Sequence, residues 1–558
     1  MAYLDWVGDR DLPADVREAL LGPGAPFELV DDVVLGRPVQ VFARRPAHLL
    51  EVLVGAPADQ PYLVFPEATL SYGEVVTRAR AIAVTLAKEH GVSPGDRVAV
   101  ASANRLEYVL TYWAVLALGA VMVGLNGWWT GAELDYGIEL TRPTLVLGDD
   151  ERLARLAERS SGRSPVPTRT LADLVDASDT DDELPDVELP DVEIAEDDPA
   201  IILFTSGTTG RPKGATLSHR NLVHAGQVNA LTAAVRKAQM GIDPFLPTPG
   251  AHLVVGPLFH VSGINPLFGA PRLGNVVVFP PPGRWDERTH LELTARHGVQ
   301  SWSAVPTNYW RLLQHPDLDT FDLSGLRAAA SGGAVFPPAL VRLFQEKLPH
   351  VSLSNGYGMT ESFGLGTLAN GPVVVEHPES VGDACPSAEV EVRGPDGTGL
   401  GEGEVGEIHL RHAGVFLGYW DDPEATAAAV DAEGGYRTGD FGRIEGGLLH
   451  MDSRMRDLII RGGENIYPAE IENRLIEHPD IDDVAVIGVH HETLGHEVKA
   501  FVVRRPGARL SVEDVRAWAG EALAAFKVPA HVEFRDSLPY TQNGKVKKHE
   551  LESEEGSA

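Results

Sequence analysis

The run TSGTTGRPKG, Thr205 to Gly214, places hydroxyl side chains, glycines and a lysine close together. Those are the ingredients of a loop that holds phosphate. It is not a Walker A loop, which needs glycine directly before its lysine, because Pro212 precedes Lys213. The G-x-G-x-x-G spacing fails too, since Thr209 stands two residues after Gly207. AIILFTS before the loop and GATLS after it both read as strands, with Ser218 as N-cap of the helix that follows. A loop between two strands draws its anion affinity from glycine-exposed backbone N–H groups, hydroxyls and Lys213, without a helix dipole.

Six further runs carry chemistry-bearing residues. They are GPLFHVSG (256–263), AAASGGA (328–334), NGYGMTES (355–362), YRTGD (436–440), SRMRDLIIRGGENIYPAEIE (453–472) and PYTQNGKVKKHEL (539–551). An acidic residue after Thr-Gly, Asp440, can accept two ribose hydroxyls. Glu361 offers a carboxylate oxygen of the kind a hard cation takes together with phosphate oxygens. With nine lysines in the chain, Lys213 and Lys545 stand out among the residues available to neutralise phosphate.

In this order the runs resemble the superfamily of adenylate-forming enzymes: acyl- and aryl-CoA synthetases, peptide-synthetase adenylation domains and beetle luciferases. The resemblance covers about residues 60 to 551. It implies ATP, Mg2+ and CoA as cofactor and co-substrates. It also implies a reaction in two halves, in which a carboxylate attacks the α-phosphorus of ATP and a thiol then attacks the resulting acyl-AMP. On this resemblance Thr205, Ser206, Gly207, Thr208, Thr209, Gly210 and Lys213 hold the β- and γ-phosphates. Gly333, Ala334, Asn355, Gly356 and Tyr357 bind ATP, with Tyr357 packed on the adenine face, while Asp440 and Arg454 reach the ribose. Thr360 contacts the α-phosphate, Glu361 binds magnesium, and His260 gates the substrate carboxylate. Lys545 bridges the carboxylate and α-phosphate during adenylation. Arg456 is the hinge about which a C-terminal domain swings, bringing in the CoA tunnel at Gly462, Gly463 and Glu464.

The elements that must position these residues are predicted from periodicity. Strands alternating with helices around 61–150, a strand-rich stretch before 450 and a compact final hundred residues indicate an α/β, multi-layer protein. The expected division is an N-terminal adenylation domain over 1–455, with αβαβα-type sheets plus a β-rich subdomain, and a small mobile α+β domain over 456–558. Residues 1–60 read as lead-in helices and loops. The acidic, repetitive stretch 171–198 reads as a solvated surface connection.

Amino-acid-activating members of the superfamily carry an aspartate in the motif that here reads Phe259-His260-Val261-Ser262. Its absence argues for an acid without an amino group, since an unpaired buried ammonium is costly. The acyl pocket is expected from Val261, Ile264, Val305, Tyr309, Gly332 and Gly356, with no charge at its far end. These choices indicate an apolar, or bulky alicyclic or aromatic, carboxylic acid, with a polar distal group also admissible. CoA is the expected acceptor. The alternatives are transfer to a separate carrier protein or partner enzyme and a catalytically dead nucleotide- or acyl-binding protein. A second copy of the chain is an admissible partner.

Composition excludes other classes. The balance of 47 Lys and Arg against 80 Asp and Glu gives a formal net charge of −33, which argues against nucleic acid and anionic membrane as partners. The single cysteine, Cys385, rules out an internal disulfide and reads as a small buried hydrophobe. The apolar run Tyr108 to Asn126 is split by Gly119, so it reads as a buried helix and strand rather than a membrane span. The N-terminus lacks the basic region of a secretory signal, and the cytoplasm is the expected location.

Overall fold

The apolar run divides at its glycine. Helix Leu106–Ala117 ends at Leu118, Gly119 takes φ 63°, and strand Val121–Leu125 follows. The helix is buried nearly all round because it lies between sheet and neighbouring helices, so it needs no polar face. No described helix is long and apolar enough to cross a membrane.

The computed structural model describes residues 3–4, 6, 12–159, 166–178, 192–205, 212–332, 335–431, 433–454, 459–461, 464–466, 468–491, 494–523, 525–540 and 546–556. Among these, strands form sheets of fourteen, seven, two and five members. In the seven-stranded sheet Val121–Leu125 pairs in parallel with Arg97–Ala101 and Pro199–Thr205. The fourteen-stranded sheet has a parallel half that includes Ala251–Val254, Val299–Ala304, Ala328–Gly332 and Ser352–Tyr357. It turns antiparallel at Thr367–Asn370 and continues through Tyr436–Glu445 and Leu448–Arg454. The five-stranded sheet takes its strands from Ile459–Arg461 to His531–Arg535. The chain is therefore a mixed α/β protein with a large multi-sheet N-terminal part and a small C-terminal one.

The lead-in differs from its reading as helices and loops. Helices Ala14–Leu21 and Leu49–Val54 flank a hairpin of Leu29–Val34 and Arg37–Phe42. Its two-residue turn has positive φ at both Leu35 (51°) and Gly36 (81°). Asparagine or aspartate usually marks the first of these positions, and leucine there hides the turn.

The acidic stretch 171–198 also differs from its reading. Leu171–Ser178 is a helix that buries Leu171, Leu174 and Val175 in the main core. Ile194 is buried as well. Glu196 and Asp197 pair with Arg220, and Glu196 also with Arg45 at 3.1 Å. The apolar residues at helical spacing were outweighed in the sequence by the surrounding aspartates. Cys385 is buried, and burial pushes its thiol up to about 12, as suits a packing residue.

Three buried tyrosines fix the segment that forms one wall of the cleft. Pro271 lies inside helix Val261–Leu273 and has no N–H to donate, which orphans the carbonyl of Leu267. The Tyr62 phenol donates to that carbonyl at 2.8 Å. Tyr112 donates to the Leu258 carbonyl at 2.7 Å and Tyr72 to that of Asn275 at 2.6 Å. Burial raises the pKa of all three, so they remain donors.

Candidate active site

The described site residues gather at the carboxyl ends of parallel strands, where open α/β sheets place their ligands. Thr205 ends Pro199–Thr205, Gly332 ends Ala328–Gly332 and Tyr357 ends Ser352–Tyr357. A continuous cleft of about 3750 Å³ is lined by Thr205, Lys213, His260, Thr360, Glu361 and Asp440, among others.

Pro199–Thr205 and Lys213–Ser218 pair antiparallel, and Thr205 faces Lys213 as its register partner. The phosphate-type loop is thus closed at its base by a hairpin. Tyr136 donates to the Pro212 carbonyl at 3.0 Å, and Ser218 with Asn221 forms a capping box on the next helix. Residues Ser206, Gly207, Thr208, Thr209 and Gly210 lie outside the described residues.

Thr360 and Glu361 form a short 3-10 turn, Thr360–Ser362. A Cβ on Gly358 would lie 2.4 Å from the Gly364 backbone, so only glycine lets the chain close here and present Glu361 to the cleft. Glu361 is 6% exposed, and its Oε1 accepts the Tyr419 phenol at 2.8 Å. The Lys213 ammonium lies 4.9 Å from the centre of the Tyr419 ring. Burial, then the Glu361 charge, holds the Tyr419 phenol above its ordinary pKa and keeps it a donor. Buried Tyr436 sits beside the pair, its phenol raised for the same reasons.

Tyr419 was not singled out in the sequence. It stands in the two-residue strand Gly418–Tyr419, which pairs with Ala215 and Thr216 beyond the loop. The Trp420 N–H donates to Gly214 at 2.7 Å and that of Phe416 to the Glu361 carbonyl at 2.8 Å. The short segment 416–420 therefore ties the loop hairpin to the glutamate. Its only sequence signal is an aromatic pair after glycine.

On the opposite side Tyr357 donates to Asp440 Oδ2 at 3.1 Å, and both are buried. Asp440 follows Gly439 at φ 69° and pairs in register with Arg454. The Asn355 side chain accepts the Phe336 N–H at 3.2 Å and is 1% exposed, so it lies beneath the surface of the cleft. His260 caps helix Val261–Leu273, with Nδ1 accepting the Ser262 N–H at 3.2 Å. In the neutral ring the proton is then on Nε2.

Of the expected acyl wall, Val261, Val305, Gly332 and Gly356 line the cleft. A Cβ on Gly332 would meet nothing within 4 Å, so there is real room at that point. Ile264 and Tyr309 are fully buried in the core behind the wall. Tyr309 bridges the Ala304 N–H at 3.1 Å and the Ala330 carbonyl at 2.6 Å, which braces two strands rather than facing a ligand. Gly333, Ala334, Arg456, Gly462, Gly463 and Lys545 lie outside the described residues, as do the side chains of Arg454 and Glu464.

A buried carboxylate on the cleft wall suits a magnesium ion that draws its other ligands from phosphate and water. Among the described residues no cluster of three or more His, Cys, Asp or Glu could hold a metal by protein ligands alone. Glu361 therefore fits a cation delivered with a nucleotide.

The family model for AMP-binding enzymes matches residues 50–420, and that for the AMP-binding enzyme C-terminal domain matches 470–545. A feruloyl-CoA synthase of Amycolatopsis sp is 36% identical, over 86% of this chain and 93% of its own. A 3-[(3aS,4S,7aS)-7a-methyl-1,5-dioxo-octahydro-1H-inden-4-yl]propanoyl:CoA ligase of Rhodococcus jostii is 33% identical, over 88% and 94%. ATP-bound MatB from Rhodopseudomonas palustris superposes with a TM-score of 0.80 at 32% identity, covering 91% of this chain and 98% of that one. The chain belongs to the AMP-binding enzyme family and, within the adenylate-forming superfamily, to the acyl-CoA synthetases. It is an AMP-forming acid–thiol ligase that uses a small-molecule carboxylic acid, ATP and CoA.

Proposed function

We propose that the acid is a bulky alicyclic or aromatic carboxylate without an amino group. The observation that carries this is the cleft itself, wide at Gly332 and walled by Val261 and Val305, with no acidic residue in the His260 motif. Relatives named for feruloyl and dioxo-indenyl propanoyl thioesters support the same size and shape.

In the first half-reaction a carboxylate oxygen bonds to the α-phosphorus of ATP and pyrophosphate leaves. An anion attacks an anion, so positioning and charge neutralisation dominate the barrier. Thr205, Lys213 and the loop between them hold the leaving pyrophosphate. Thr360 meets the α-phosphate, Asp440 accepts from the ribose, and Tyr357 packs on the adenine. Glu361 holds Mg2+, which supplies positive charge to the phosphate oxygens. His260 orients the substrate carboxylate. Lys545, from the C-terminal domain, neutralises charge between carboxylate and α-phosphate.

In the second half the thiol sulfur of CoA bonds to the acyl carbon and AMP leaves. The domain division at 455/456 then serves a swing about Arg456. That swing withdraws Lys545 and admits the Gly462-Gly463-Glu464 loop. Supply of ATP and CoA points to the cytoplasm as the place of work.

The test is ATP–pyrophosphate exchange with a panel of fatty, aromatic and alicyclic acids, followed by thioester formation with free CoA. Bulky ring acids should give the highest kcat/KM. Strongest exchange with amino acids or short linear acids would overturn the assignment, and exchange without thioester would make a carrier protein the acceptor.

A further inference from the structure

Strand Ala251–Val254 carries a histidine whose bonding pattern fixes its tautomer. The Gly250 N–H donates to Asn275 Oδ1 at 2.9 Å. An N–H can only donate, so the oxygen of this amide is identified and its nitrogen is the other atom. That nitrogen, Nδ2, lies 2.9 Å from His252 Nε2. His252 Nε2 must therefore accept, which leaves the ring proton on Nδ1. Burial lowers the His252 pKa to about 4, so the ring is neutral at working pH. The His252 Nδ1–H has no hydrogen-bond partner among the described residues, and His252 lines the cleft.

The position of this donor follows from the sheet register. His252 pairs with Ser301, Ser301 with Ala328, and Ala328 with Ser352, forming one row across the parallel strands. All four line the cleft. The row Gly332–Gly356 stands four residues further along the same strands, about 13 Å away at roughly 3.3 Å per residue. The cleft is also lined by Asn229 and Asn265, paired at 3.0 Å. This stretch of the cleft is thus polar, where the sequence showed only that no charged residue is placed for a distal charge.

This donor faces the cleft, so a ligand that displaces water from it must replace that hydrogen bond, and an oxygen there is selected over a methylene that leaves the donor unpaired. We propose that His252 Nδ1–H recognises an acceptor oxygen, a ketone above all, at the end of the acid remote from its carboxylate. This inference rests on the ligase reading above and names the substrate class of the same cleft. His252 is then a specificity-determining residue for ring acids that carry a distal oxygen.

The test compares a bicyclohexyl carboxylic acid bearing a ring ketone at the remote end with its parent hydrocarbon acid. The readout is kcat/KM in ATP–pyrophosphate exchange. The wild type should favour the ketone by about tenfold or more, mainly through KM. His252→Leu should bring the ratio close to one, and His252→Gln, which keeps an amide donor, should retain part of it. A wild-type ratio near one, or a ratio that His252→Leu leaves intact, overturns the proposal. Should the leucine variant not fold, the infrared carbonyl stretch of the ketone bound to wild type decides. It should fall to lower frequency, and a stretch matching that in hydrocarbon solvent overturns the proposal. Exchange with other acids of the panel but with neither of this pair overturns this proposal alone. Exchange with no acid at all overturns the ligase reading beneath it.

Discussion

Tyr419 donates its phenol proton to Glu361 Oε1 at 2.8 Å, and the same ring carries the Lys213 ammonium 4.9 Å from its centre. One side chain thus links the carboxylate proposed for magnesium to the lysine proposed for pyrophosphate. Outer partners of a metal-binding carboxylate fix its orientation, and losing one typically costs about 10–100-fold in metal affinity or activity. Tyr419→Phe keeps the ring beneath Lys213 and removes only the donor. Its adenylation rate should fall within that range and recover partly at high Mg2+, as a magnesium titration of exchange would show. Unchanged magnesium dependence would leave Tyr419 as a packing residue.

Lys545 and Lys213 should separate the two halves of the reaction. Lys545→Ala removes a charge aimed at the transition state and should slow acyl-AMP formation by about 10²–10³. Lys213→Ala should weaken adenylation by impairing the grip on pyrophosphate. Both variants should still form thioester from supplied acyl-AMP, where no pyrophosphate remains to be held. Equal loss in both half-reactions would remove these role assignments.

Arg456→Pro restricts φ at the proposed hinge. Thioester formation should drop while acyl-AMP formation is largely retained. Single-turnover assays of each half provide the measurement, and an unchanged thioester step would count against a pivot at this residue.

Burial in the C-terminal part raises Asp483 to about 7, although its carboxylate accepts the Val484 N–H at 2.8 Å. The folded state then binds a proton that the unfolded chain releases near the ordinary carboxylate pKa of about 4. Between those values the unfolded state holds fewer protons, so this group lowers stability as pH rises from about 4 to about 7 and no further above that. Asp483→Asn should raise Tm relative to wild type at pH 8, with the difference shrinking toward pH 4. Thermal melts across that range test the sign.

Much of the candidate site's local structure was legible because its residues are contiguous. The loop hairpin, the Thr360–Glu361 turn and the Gly439–Asp440 turn are local features, marked by glycines and hydroxyls that tight turns and phosphate contacts require. The hairpin at Leu35–Gly36 was missed because its turn begins with leucine. The helix Leu171–Ser178 was missed because aspartates on its outer face outnumber the leucines it buries.

The sequence by itself determined the family and the two-part chemistry, and it marked the residues proposed to meet ATP, since each motif is a short contiguous run. Tertiary structure alone decided what lies between the motifs. Tyr419 meets Glu361 across 58 positions, Tyr309 turns inward to brace two strands, and His252 receives its tautomer from Asn275. Such pairings arise from strand register and burial. No local pattern records which donor finds its acceptor, or which is left facing the cleft.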